Sequence, residues 1–154
     1  MVLKANPSWS MRSVLISVRD LDHSLTFYED VLNVHEVLRD GHVAVLSGIG
    51  RNPISLILRQ ASLHAHHPGQ DTIGIRSLSF QVGSLDELDR IEGRLRALKT
   101  FVGRYSLNKA QHSELVKGHD HDRIALQFTT SGTGESAAAT DYERAMARIY
   151  AVDA

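Results

Sequence analysis

The chain has no cysteine, which excludes disulfides, thiolate-held metals and a cysteine nucleophile. Proline is scarce, at three in 154 residues, so no proline-rich linker or recognition tract is present. Neither sign of charge prevails: 17 basic side chains face 18 acidic ones for a net charge of -1. The basic residues are scattered, so neither a nucleic-acid partner nor a membrane surface is expected. No apolar run approaches the roughly 18 residues of a membrane-spanning helix. The opening stretch MVLKANPSWS lacks the apolar core of a signal peptide, and a cytoplasmic protein is expected. There is no Gly-x-Ser-x-Gly elbow and no phosphate-binding loop. The glycines of GIGRNP join two strands and open no helix, which reads as a turn.

What is present is a pattern that occurs twice. SVLISV, Ser13–Val18, alternates as a half-buried strand does, and Asp20 or Asp22 can cap the helix that follows. Leu21, Leu25, Tyr28, Val31 and Leu32 keep the three-to-four spacing of a buried stripe. VHEVLR, the turn Asp-Gly and HVAVLS predict a hairpin, and ISLILR predicts one more strand. After the linker QASLHAHHPGQDTIG the order begins again. RSLSFQV is a strand, and SLDELDRIEGRLRAL is a helix opened by a Ser84/Glu87 capping box. Its stripe is Leu85, Leu88, Ile91, Leu95 and Leu98. FVGRYSL, HSELVK and RIALQF follow as strands, with GHDHD as a turn. The halves lie about 65 residues apart, and such a repeat decides architecture. The expected fold class is α+β, with module one at about residues 11–60 and module two at about 75–130 in one domain. Beyond the hinge Ser-Gly-Thr-Gly, residues 131–154 predict a C-terminal helix, capped by Thr140 and Glu143, with Ala145, Met146 and Ile149 on one side.

The stretch VLISVRDLDHSLTFYEDVL resembles the opening of modules in the vicinal oxygen chelate (VOC) superfamily: glyoxalases, extradiol dioxygenases and fosfomycin- and bleomycin-resistance proteins. The matching residues are Val18, Asp20, Leu21, Ser24, Phe27, Tyr28 and Leu32. FQVGSLDELD matches more loosely in the second module. The resemblance implies two βαβββ modules forming a cupped mixed or antiparallel sheet. In metal-dependent members, four positions lining the cup carry His, Glu or Gln. By motif these positions are Ser13, Ser55, Ser77 and Ala125 here, and none is a credible ligand for a divalent metal. A one-residue slip would place core-face residues such as Val14 or Leu78 there. No metal and no other cofactor is therefore expected.

Strand alternation divides the rest. Val14, Ile16 and Val18 are expected under the helix, with Ile54, Leu56 and Leu58, and Leu78, Phe80, Val82, Ile124, Leu126 and Phe128 in the same role. The opposite faces carry Ser13, Leu15 and Ser17; Ser55, Ile57 and Arg59; Ser77, Ser79 and Gln81; and Ala125, Gln127 and Thr129. That lining suits a neutral organic ligand held by shape and a few hydrogen bonds. The alternative is an ordinary solvent-facing sheet. His64, His66 and His67, and His119 with His121, read as turn and linker histidines or as a weak chelating pair. Glu114, Asp120, Asp122 or His112 is a candidate general base if it faces the lining. Trp9 could cover the lining, meet a second subunit or simply pack the arm.

Three readings follow. The first is a metal-free protein that binds a small organic molecule, of the bleomycin-resistance type, with a homodimer implied by resemblance. The second is a lyase or dioxygenase of the superfamily with atypical ligands. The third is a regulatory or structural relative without a ligand.

Overall fold

The computed structural model describes residues 12–48, 55–66, 75, 77–110 and 112–130. The expected C-terminal helix and hinge, Trp9, Ile54, His67 and most of GIGRNP lie outside the described residues. The chain divides into two compact units, Met1–His66 (unit 1) and His67–Ala154 (unit 2). Unit 1 runs β1 (Ser13–Val18), α1 (Leu21–Leu32), β2 (His35–Asp40), β3 (Val43–Ser47) and β4 (Ser55–Gln60). Unit 2 runs β5 (Ser77–Val82), α2 (Leu85–Ala97), β6 (Phe101–Asn108), β7 (Ser113–His119) and β8 (Ala125–Thr130). Each unit is βαβββ, and the class is α+β as expected.

Both sheets have the same order, β1-β4-β3-β2 and β5-β8-β7-β6. The first and last strands of each unit run parallel, and the other neighbours run antiparallel. The repeat seen in the sequence is thus a repeat of topology.

Local chemistry sets the helix ends. The Asp20 carboxylate accepts the His23 N–H at 3.0 Å, so of the two candidate caps Asp20 is the one used. The Ser84 hydroxyl accepts the Glu87 N–H at 3.1 Å, while Glu87 pairs with Arg90 at 2.7 and 3.0 Å. That pairing holds the Glu87 carboxyl below the usual glutamate range. Helix α2 ends in a Schellman arrangement: Thr100 N–H donates to Leu95 O at 2.9 Å and Lys99 N–H to Arg96 O at 3.1 Å. Lys99 there adopts the left-handed region, φ 60°.

The two cores form under the helices. In unit 1 Leu21, Leu25, Phe27, Tyr28 and Val31 are buried with Ile16, Val18, Ala44, Leu46, Leu56 and Leu58. Phe27 and Tyr28 meet edge to face, their centroids 5.1 Å apart. In unit 2 Leu88, Ile91 and Leu95 are buried with Val82, Val116, Leu126 and Phe128. Leu32, Leu85 and Leu98, predicted in the stripes, are only half-buried, because they sit at helix ends.

Helix α2 approaches β7 closely at Gly118. A Cβ there would lie 2.9 Å from Leu95 Cδ1 and 2.9 Å from the Thr100 carbonyl oxygen. The carbonyl belongs to the helix end and cannot swing aside. Gly118→Ala is expected to cost about 1–3 kcal/mol through overpacking, read as a lower urea midpoint. A neutral result would mean that helix and strand can separate without loss.

Candidate functional site

Each sheet has one face under its helix and one free of it, and the register of the free faces decides which side chains meet. In unit 1 Ser13 lies opposite Ser55, Leu15 opposite Ile57 and Ser17 opposite Arg59. The next strands continue these rows. Ile57 pairs with Val45, and Val45 with Leu38. Arg59 pairs with Val43, and Val43 with Asp40. His35 pairs with Ser47. An apolar row, Leu15–Ile57–Val45–Leu38, therefore crosses all four strands between polar rows. It spans about 14 Å, three interstrand steps of about 4.8 Å. Leu15 is 55% exposed and Leu38 61%, while Ile57 and Val45 between them are half-buried, so the ends of the row are uncovered apolar surface of the kind that marks binding sites.

In unit 2 Ser77 lies opposite Ala125, Ser79 opposite Gln127 and Gln81 opposite Thr129. Gln127 continues to Lys117 and then Gly103, and Thr129 to Leu115 and then Tyr105. The central row is polar here. Gln127 is fully buried, and its Oε1 accepts the Ser79 hydroxyl at 3.2 Å. A Cβ at Gly103 would lie 2.7 Å from the Tyr105 hydroxyl oxygen. The Tyr105 ring thus folds back along β6 over Gly103, beside Lys117.

Of the residues expected to line a site, Ser13, Leu15, Ser17, Ser55, Ile57 and Arg59 share the free face of unit 1. Ser77, Ser79, Gln81, Ala125, Gln127 and Thr129 share that of unit 2. Leu38, Val45, Lys117, Leu115 and Tyr105 join them and were not legible beforehand.

The candidate bases fall elsewhere. Glu114 faces the helix side, where it binds Arg104 at 2.9 and 3.3 Å. Arg104 also holds Asp89 at 2.6 Å and Glu92 at 2.7 Å. These carboxylates, Glu114 first, raise the Arg104 pKa, and Arg104 lowers that of Glu92. Asp120 is buried, and its Oδ1 accepts the N–H groups of Asp122 at 2.8 Å and Ile124 at 2.9 Å. It organises the turn into β8 as an Asx residue does. His119 donates from Nδ1 to the Asp120 carbonyl at 2.8 Å. His112 occupies an exposed turn at φ 52°, and His64 and His66 are exposed.

The four positions that the motif resemblance assigns to metal ligands come together pairwise. Ser13 faces Ser55 and Ser77 faces Ala125, at the same place in the two parallel pairs. The family model for the Glyoxalase/Bleomycin resistance protein/Dioxygenase superfamily matches residues 10–134. The chain belongs to this superfamily. Among solved structures, it is similar to a glyoxylase/bleomycin resistance protein/dioxygenase domain from Frankia sp. EAN1pec. The identity is 27% and the TM-score 0.66, over 85% of this chain and 96% of that one. A lactoylglutathione lyase from Agrobacterium tumefaciens matches at 21% identity and TM-score 0.58, over 82% and 96% of the two chains. The fosfomycin resistance protein FosX from Listeria monocytogenes matches at 15% and 0.60, over 84% and 97%. The last two show the fold alone. No curated protein matches the chain.

At the four positions that the motif resemblance assigns to metal ligands this chain supplies three hydroxyls and a methyl group. Divalent transition-metal sites are built from imidazole and carboxylate, and a neutral serine hydroxyl is a poor substitute. Among the described residues no three His, Asp or Glu side chains converge on a possible metal position. The residues present do not fit a metal at this place. No helix among the described residues is long and apolar enough to cross a membrane.

Proposed function

We propose that the protein binds a small organic molecule on the helix-free faces of its sheets, without a metal at the superfamily's metal positions. The observation that carries this is the combination on one face of unit 1. An apolar row, exposed at Leu15 and Leu38 and half-buried at Ile57 and Val45, lies beside Ser13 and Ser55, at positions that the motif resemblance assigns to metal ligands. Apolar surface supplies affinity, while the hydroxyls of Ser13, Ser17 and Ser55 on the same face supply orientation. A homodimer in the cytoplasm, of the bleomycin-resistance type, belongs to the same reading and rests on resemblance.

The test is a thermal-shift screen with aromatic and aliphatic metabolites, run in parallel with zinc, manganese and nickel. A ligand at about 100 times its Kd should stabilise by about 2.7 kcal/mol, and the metals should give no stoichiometric binding by calorimetry. Stoichiometric metal binding, with turnover of a glyoxalase or catechol substrate, would replace this reading with that of a lyase or dioxygenase using atypical ligands.

A further inference from the structure

We infer that the ligand is an organic carboxylate, its charged end held by Arg59 and its apolar body lying on the Leu15–Ile57–Val45–Leu38 row. This rests on the reading of unit 1 as a ligand-binding face. The sequence composition points to a neutral ligand, but the placement of charge in the structure does not.

The two arginines of the unit 1 sheet differ in their surroundings. On the helix side Arg39 is neutralised by Asp22 at 2.8 Å and Glu36 at 3.1 Å. On the free face Arg59 has no carboxylate partner among the described residues. It is exposed, and it stands one row from Leu15 and Ile57. Unit 2 shows the same difference between its two basic strand residues. Arg104 gathers three carboxylates on the helix side, while Lys117 lies on the free face with no carboxylate partner among the described residues.

An arginine fork beside an apolar surface matches a molecule with a carboxylate on a flat or aliphatic body, because the guanidinium offers two parallel N–H donors. The opposite Ser17 hydroxyl can add one more donor. A doubly charged group fits less well. Asp40 lies in the same row as Arg59, one strand beyond Val43, and its negative charge opposes a phosphate dianion. The row's span of about 14 Å has room for a bicyclic ring or a short phenylalkyl chain.

The experiment is calorimetry on the full chain with matched probes: 2-naphthoate and 4-phenylbutyrate, their primary amides, and 2-naphthyl phosphate. Each is titrated into the wild type, Arg59→Met and Arg59→Lys. The carboxylates should bind at least about tenfold more tightly than the amides, the scale of a charge-assisted hydrogen-bond pair, and more tightly than the phosphate. Arg59→Met should bring the carboxylates down to the level of the amides without moving the melting temperature. Arg59→Lys should recover part of the difference, since it keeps the charge and loses the fork. Equal binding of acid and amide, tighter binding of the phosphate, or carboxylate binding indifferent to Arg59→Met would overturn the inference and leave the organic-ligand reading standing. If no probe of either series binds, both are overturned.

Discussion

Phe128→Ala is expected to destabilise unit 2 by about 3–5 kcal/mol, the largest loss of any single substitution considered for this chain. Phe128 is fully buried on β8, and its ring stacks on Phe80 with centroids 5.4 Å apart and planes 16° from parallel. The two residues are register partners across the parallel pair, and Val116 faces Phe128 from the other side. Truncation removes the buried ring and leaves a cavity, because strands held on both sides cannot collapse into it. Folded domains are stable by only about 5–15 kcal/mol, so the variant should be near the threshold of folding. Urea denaturation would show a lower midpoint, and hydrogen exchange should place the loss in residues 77–130. Phe128→Leu keeps most of the volume and should cost much less. A loss below about 1 kcal/mol for the alanine variant would mean that Phe128 is not a core residue, and the assignment of faces in unit 2 would fail with it.

Arg104→Met is expected to cost about 2–3 kcal/mol near neutral pH, by the scale of charged hydrogen bonds. It leaves Asp89, Glu92 and Glu114 together without the guanidinium that binds all three. Asp89 is well exposed and contributes least. Methionine preserves the aliphatic stem, so packing changes little. The pH dependence separates charge from shape. Glu92 is held below the usual glutamate range, by Arg104 first and Arg96 second. Its contribution to stability is therefore present above the unfolded glutamate value of about 4.3. It is lost as pH falls through the lower, folded value. In the variant the three carboxylates repel one another, and protonation relieves them. The gap between wild type and variant should be widest from about pH 6 to 8 and narrow below about pH 4.5. A gap that stays constant across this range would show that only the shape of Arg104 matters.

The fold was legible because its signals are local and unbroken. Asp20 and Ser84 announce helix starts, and the alternation in β1, β4, β5 and β8 runs without interruption. Those strands disclosed their faces correctly. The middle strands did not, for a physical reason. Two residues of β2 oppose one of β3 around Val37, and β6 carries similar shifts around Val102 and Leu107. A bulge reverses the alternation beyond it, so counting by twos along HEVLRD or FVGRYSL fails partway. In β3 both faces are apolar, Ala44 and Leu46 toward the helix and Val43 and Val45 away from it. No alternation exists there to read.

The hairpin turn also differs by one residue from the sequence expectation. Asp40 pairs with Val43, so Gly41 and His42 form the loop, with Gly41 at φ 57°. Glycine first in a two-residue loop is the pattern of a type II′ turn rather than the Asp-Gly turn expected. Asp120 was a candidate base in the sequence and a turn organiser in the structure. Its spacing to backbone N–H groups two and four residues on was the available clue.

The parallel pairing of each unit's first strand with its last has a consequence during synthesis. Ser13–Val18 leaves the ribosome well before Ser55–Gln60 exists, and its only sheet neighbour among the described residues is that late strand. Until then SVLISV is a lone nascent segment, and a wholly apolar one would be prone to stick to other chains. The serines at 13 and 17 interrupt it. Both hydroxyls, on the face away from the helix, thereby serve as gatekeepers for a strand that must wait for its partner.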